Sequence, residues 1–71
     1  MSLNEYKSRM NEAAKNLVDR HHNGEKVTYT TAWNEVFFTV FNQGNFAKID
    51  GVYRYMPETI AKVKALAIAS L

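Results

Sequence analysis

Along the first twenty or so residues, the positions that read as one face recur at intervals of three and four. Leu3, Tyr6, Met10, Ala13, Ala14, Leu17 and His21 fall within one arc of roughly 100° when the chain is wound as an α-helix. This is the stripe of an amphipathic helix with one face turned to a core. The local chemistry agrees. Ser2 and Glu5 have the spacing of a capping box, and Met1 and Tyr6 stand where a hydrophobic staple would place them. Glu5 with Arg9, and Lys15 with Asp19, are opposite charges four apart on the outer face. Asn23-Gly24 supplies the residues that commonly end a helix.

A connector with some strand character (Val27, Tyr29) follows, and Thr30 or Thr31 can cap a second helix. From Ala32 to Gln43, Trp33, Val36, Phe37, Val40 and Phe41 share an arc of about 140°, with Glu35, Thr39 and Asn42 opposite. Phe38 lies on the flank of that stripe, and Gly44 can end the helix. The last segment runs from Pro57 to Leu71. Pro57 suits the first position of a helix, Glu58 favours its first turn, and Ile60, Val63, Leu66, Ala67 and Leu71 form the stripe. Ile68 falls off the stripe. With Ala61, Ala65 and Ala69, this helix is apolar nearly all round.

Residues 45–56 admit two periods. Wound as a helix, Phe46, Ile49, Val52, Tyr53 and Met56 fall within about 120°, and Lys48, Asp50, Gly51, Arg54 and Tyr55 fall outside it. Paired as a hairpin about Asp50-Gly51, a strong turn signal, each face mixes charge with apolar groups, so neither makes a good core face. The clean helical partition selects helix, with Asn45 as its cap. Its cost is Gly51, roughly 1 kcal/mol worse than Ala inside a helix. The pattern therefore predicts a single all-α domain over residues 1–71: four helices, the middle two an antiparallel hairpin, with the first and last closing the core. The alternative is three helices with a β-hairpin wing at residues 46–55. The expected middle pair resembles one tetratricopeptide hairpin in the spacing of Trp33, Gly44, Phe46 and Tyr53. The likeness covers about a third of the chain and departs from the motif at Phe37, where a small residue is usual. A solenoid needs several repeats, so the likeness implies shared packing geometry and no function.

Composition narrows the classes. At 71 residues the chain is too short to bury much core without help, and it holds no cysteine for a disulfide or a thiolate metal site. A hydrophobic fraction of 46% argues against intrinsic disorder. The longest apolar run falls short of the ~20 residues that span a bilayer, and the polar start MSLNEYKSR does not read as a secretory leader. The expected location is cytoplasmic, with no membrane partner. Nine basic and seven acidic residues leave a net charge of +2 without a basic run, which is weak footing for a nucleic-acid binder.

No catalytic or phosphate-binding motif is present, and the carboxylates Glu35, Asp50 and Glu58 lie on separate elements. His21 and His22 are adjacent, so on a helix they point about 100° apart and do not readily share a metal. A cation at a helix C-terminus is the simpler role. No enzyme activity, cofactor or metal is expected. The favoured reading is a small non-catalytic protein-interaction module, self-associating as a homodimer and acting as an accessory or regulatory factor. Its surface is assigned to Phe38, Tyr55 and Ile68, which lie off their stripes, with Gly51, Arg54 and Leu71. The alternative is a nucleic-acid-binding regulator using Lys48, Arg54, Lys62 and Lys64. The form of residues 46–55 and the grouping of those four basic side chains separate the two.

Overall fold

The computed structural model describes residues 1–42 and 44–71. Helix α1 spans Leu3–His22, α2 spans Tyr29–Val36, β1 spans Phe46–Ile49, β2 spans Val52–Tyr55, and α3 spans Met56–Ala69. The four-helix, all-α expectation is overturned: among the described residues, three helices are joined to a two-stranded antiparallel sheet, and 67% of these residues are helical. The arrangement matches the alternative, three helices with a β-hairpin at residues 46–55. The tetratricopeptide-like helical pair falls with the four-helix reading, because Phe46 and Tyr53 lie on opposite strands of a hairpin.

The backbone around Asp50-Gly51 shows why the hairpin wins. Asp50 has φ 48° and Gly51 φ 82°, the two left-handed residues of a type I′ turn. Ile49 and Val52 close the turn, and the register continues Lys48 opposite Tyr53, Ala47 opposite Arg54, and Phe46 opposite Tyr55. The mixed faces that argued against a hairpin cost little here, because only one face meets the core. Ile49 is 1% exposed and Ala47 is partly buried against the core, whereas Phe46, Lys48, Tyr53 and Tyr55 point to solvent.

Long-range bonds hold the hairpin in place. The Met1 nitrogen donates to the Lys48 carbonyl (3.2 Å), and the Asp50 amide donates to the Met1 carbonyl (3.1 Å). Met1 thus lies along the outer edge of β1. The Asp50 carboxylate also accepts from the Leu3 amide (3.1 Å), one of the amides at the start of α1 that has no partner within the helix. Ser2 accepts from Glu5 (3.1 Å), as the capping-box spacing predicts.

Helix α2 starts a turn earlier than expected, capped by Thr28 rather than Thr30 or Thr31. It runs into a π-helical turn at Phe37–Phe41, closed by the Asn42 amide donating to the Phe37 carbonyl (2.6 Å). Asn42 is left-handed (φ 63°) and ends the helical segment there. The expected helix end, Gln43, lies outside the described residues. The π-turn inserts an extra residue per turn and keeps Val36, Val40 and Phe41 all buried. Trp33 and Phe37 stack at 5.1 Å along the edge of the core.

The core is one cluster. Tyr6, Met10, Ala13, Ala14 and Leu17 of α1 meet Ala32, Val36, Val40, Phe41, Ile49, Met56, Ile60, Val63 and Ala67. Leu3, His21, Leu66 and Leu71, placed on buried stripes by periodicity, are exposed instead. The buried hydroxyls of Tyr6 and Thr59 hydrogen-bond each other, pinning the start of α1 against the start of α3. The two helices end near each other as well, around an open groove. The hairpin and this groove therefore sit at opposite ends of the α1–α3 pair.

Candidate interaction surfaces

The outer face of the hairpin is built by strand alternation. Side chains point alternately to the two sides, so Ile49 goes to the core while Phe46, Lys48, Tyr53 and Tyr55 share the solvent side. The Phe46 and Tyr55 rings stack at 4.6 Å, and the Lys48 ammonium lies 5.6 Å from the centre of the Tyr53 ring. Tyr53 is 70% exposed and Phe46 60%. Among the described residues no acidic group stands on this face: the Asp50 carboxylate is turned to α1, and Glu58 belongs to α3.

Arg54 lies on the other side of the sheet. Its guanidinium meets Glu58 at 3.2 Å, and Lys62 meets the same carboxylate oxygen at 3.3 Å. The Lys62 hydrogen bond, followed by the charges of Lys62 and Arg54, holds the Glu58 carboxyl below the usual carboxylate range. The Arg54 Nε is shielded from solvent and makes no hydrogen bond among the described residues. Arg54 is thus turned toward its own fold.

The opposite end of the molecule carries an open, largely apolar groove of about 500 Å³. Leu17 and His21 of α1, Val27 of the connector, and Lys64, Ile68 and Leu71 line it. Phe38, 67% exposed, lies on the π-helical turn and packs edge-on against Phe37 at 5.1 Å.

The residues expected to bind a partner therefore fall in separate places. Gly51, Arg54 and Tyr55 are on the hairpin, Ile68 and Leu71 at the groove, and Phe38 on the π-turn. The four basic residues do not form one face either. Lys48 is on the outer face, Arg54 and Lys62 share Glu58, and Lys64 borders the distant groove. The three carboxylates stay apart and each has a local partner. Glu35 accepts from Asn16 (3.2 Å) and Thr39 (3.0 Å), Asp50 caps α1, and Glu58 holds two cations. The His21 and His22 rings lie 6.0 Å apart and tilted, and no group of three metal-ligating side chains converges among the described residues.

Periodicity missed Phe46, Val52 and Tyr53 as surface residues, because a helical winding placed them on a buried stripe. The Asp50-Gly51 pair was the signal that could have found them. No helix of the described residues is long and apolar enough to cross a membrane. Comparison with protein-family models, with curated proteins and with solved structures gives no significant match.

Proposed function

We propose that this protein is a small, non-catalytic interaction module of the cytoplasm that self-associates and serves as an accessory or regulatory factor. The observation that carries the reading is the outer face of the hairpin, where Phe46, Tyr53 and Tyr55 gather in solvent while the core is closed without them. Isolated exposed hydrophobes are ordinary, but aromatic side chains grouped on one rigid face have the composition of interface anchors. A non-catalytic role is supported by the carboxylates Glu35, Asp50 and Glu58, each of which is bound to its own neighbours. The test is light scattering on the purified chain across micromolar to millimolar concentration. A dimer is expected, and a monomer throughout would overturn self-association.

A second reading, a nucleic-acid-binding regulator, draws on one specific observation. The net charge is carried by the hairpin half: residues 1–43 hold five basic and five acidic groups, and residues 44–71 hold four basic and two acidic. An aromatic hairpin face with Lys48 on it is a physical stacking platform for unpaired bases. It ranks second because Arg54 and Lys62 are bound to Glu58 and Lys64 lies elsewhere. If it holds, affinity for single-stranded DNA falls steeply with salt, and Lys48→Ala flattens that dependence. Affinity that is weak and non-specific at physiological salt leaves the first reading in place.

A further inference from the structure

The two edges of the hairpin differ. In an antiparallel pair, opposed residues alternate between those that bond each other and those whose backbone groups point away. Two bonds set the phase here. Met56 donates to the Asn45 carbonyl (2.9 Å), which continues the ladder one pair beyond Phe46 and Tyr55. Lys48 has its carbonyl turned outward, where it accepts from Met1. Tyr53, opposite Lys48, therefore has its amide and carbonyl turned outward on the β2 side, and so does the amide of Tyr55. On β1, Met1 covers the edge at Lys48 and Asp50. No hydrogen bond from outside the hairpin reaches Tyr53 among the described residues, and Val52, Tyr53 and Tyr55 are all exposed. An edge of this kind is a template for another strand.

We propose that two copies of the chain join through β2, edge to edge and antiparallel, forming a four-stranded sheet about a two-fold axis at Tyr53. The proposal rests on the self-association reading and names its surface. Charge and backbone shape select the register. Centring on Arg54 would set it directly opposite Arg54 of the second copy, and because Arg54 and Lys62 share the single Glu58 carboxylate, each side keeps an excess positive charge there, which destabilises a sheet. Centring on Val52 would run the ladder into the left-handed residues Asp50 and Gly51, and centring on Tyr55 would run it into α3. Centring on Tyr53 pairs Arg54 with Val52, so the residues on either side of the axis are extended, and the turn is met only at the end of the overlap, where Tyr55 faces Gly51. The amide of each Tyr53 then donates to the carbonyl of the other. On the outer face, Lys48 and Tyr53 of one copy meet Tyr53 and Lys48 of the next, flanked at each end by a Phe46–Tyr55 stack. The aromatic side chains of the two outer hairpin faces become one continuous row.

Chemical synthesis of the full chain with an N-methyl group on Tyr53 removes the outward donor and leaves every bond within the hairpin intact. The expected result is an unchanged circular dichroism spectrum with a dimer dissociation constant, by sedimentation, weakened about tenfold or more. Because the chain has no cysteine, crosslinking reports position cleanly. Opposed residues that bond each other in an antiparallel sheet have Cα atoms ~5.5 Å apart, within disulfide reach. Tyr53→Cys is expected to give a disulfide-linked dimer on mild oxidation, and Ile68→Cys is not. A dimer that resists N-methylation and crosslinks through Ile68→Cys would overturn this interface while leaving self-association standing. A chain that stays monomeric at every concentration would overturn both.

Discussion

Replacing Gly51 with alanine tests the turn on which the hairpin depends. Gly51 has φ 82°, and a Cβ built on it would meet no atom within 4 Å. Any penalty is therefore backbone strain and not a clash. Holding an L-residue in the left-handed region costs roughly 1–2 kcal/mol. Alanine also restricts the unfolded chain, which returns about 0.4–1 kcal/mol. The net expectation is a loss of about 1 kcal/mol. A domain of this size has a total stability of only about 4–10 kcal/mol, and each kcal/mol shifts its midpoint by roughly 4–8 °C. Gly51→Ala should thus lower Tm by about 5 °C in thermal unfolding followed by circular dichroism, with a matching fall in urea midpoint and an unchanged m-value. Gly51→Asn, which visits the left-handed region more readily, should lose less. The helical reading of residues 45–56 requires the opposite sign, a gain of about 1 kcal/mol, because alanine replaces a mid-helix glycine. A Tm that holds or rises on Gly51→Ala would refute the type I′ turn.

Other consequences can be measured on the same preparation. Tyr6→Phe strips the Thr59 hydroxyl of its buried partner and should cost about 1–3 kcal/mol, while Tyr6→Phe with Thr59→Val should cost clearly less than the two single changes together, as read from a double-mutant cycle in urea. Ile49→Ala empties the hairpin's anchor in the core and should cost about 2–5 kcal/mol; a loss under 1 kcal/mol would show that the hairpin does not depend on this contact. The lowered Glu58 pKa means that its ion pairs stabilise the fold fully above the ordinary value of 4.5, and that this contribution is lost as pH falls through the lowered folded-state pKa. Glu58→Gln should therefore flatten the stability profile below about pH 4.5, and an unchanged acid limb would count against the Arg54–Glu58–Lys62 arrangement.

Helices α1 and α3 were legible because each buries a stripe against the rest of the core, so hydrophobic spacing and geometry coincide over several turns. The capping box at Ser2 and Glu5 was legible for the same reason: both of its parts are local. The stretch at 45–56 failed because two strands of four residues each bury little. Ile49 is the only fully buried residue of either strand, and Met56, counted as part of the helical stripe, belongs to α3. What decides the segment is a pair of left-handed residues and three bonds to Met1 and Leu3, far away in the chain. The π-turn was hidden too, since its stripe of Val36, Phe37, Val40 and Phe41 reads equally well at the ordinary helical period. Of the expected site residues, Tyr55 was placed correctly on the surface, but its companions Phe46 and Tyr53 were assigned to the core by a period the backbone does not have.

The Asp50 carboxylate completes the cap of α1 from 47 residues away. Closing a loop of that length costs about 3 kcal/mol in chain entropy before any contact offsets it. Against that cost, the bond ties the start of α1 to the hairpin. The Leu3 amide is held by the turn residue Asp50, whose own amide is held by the Met1 carbonyl. Opening the tip of the hairpin therefore also frees the start of α1, and the Leu3 and Asp50 amides are expected to show linked protection in hydrogen exchange.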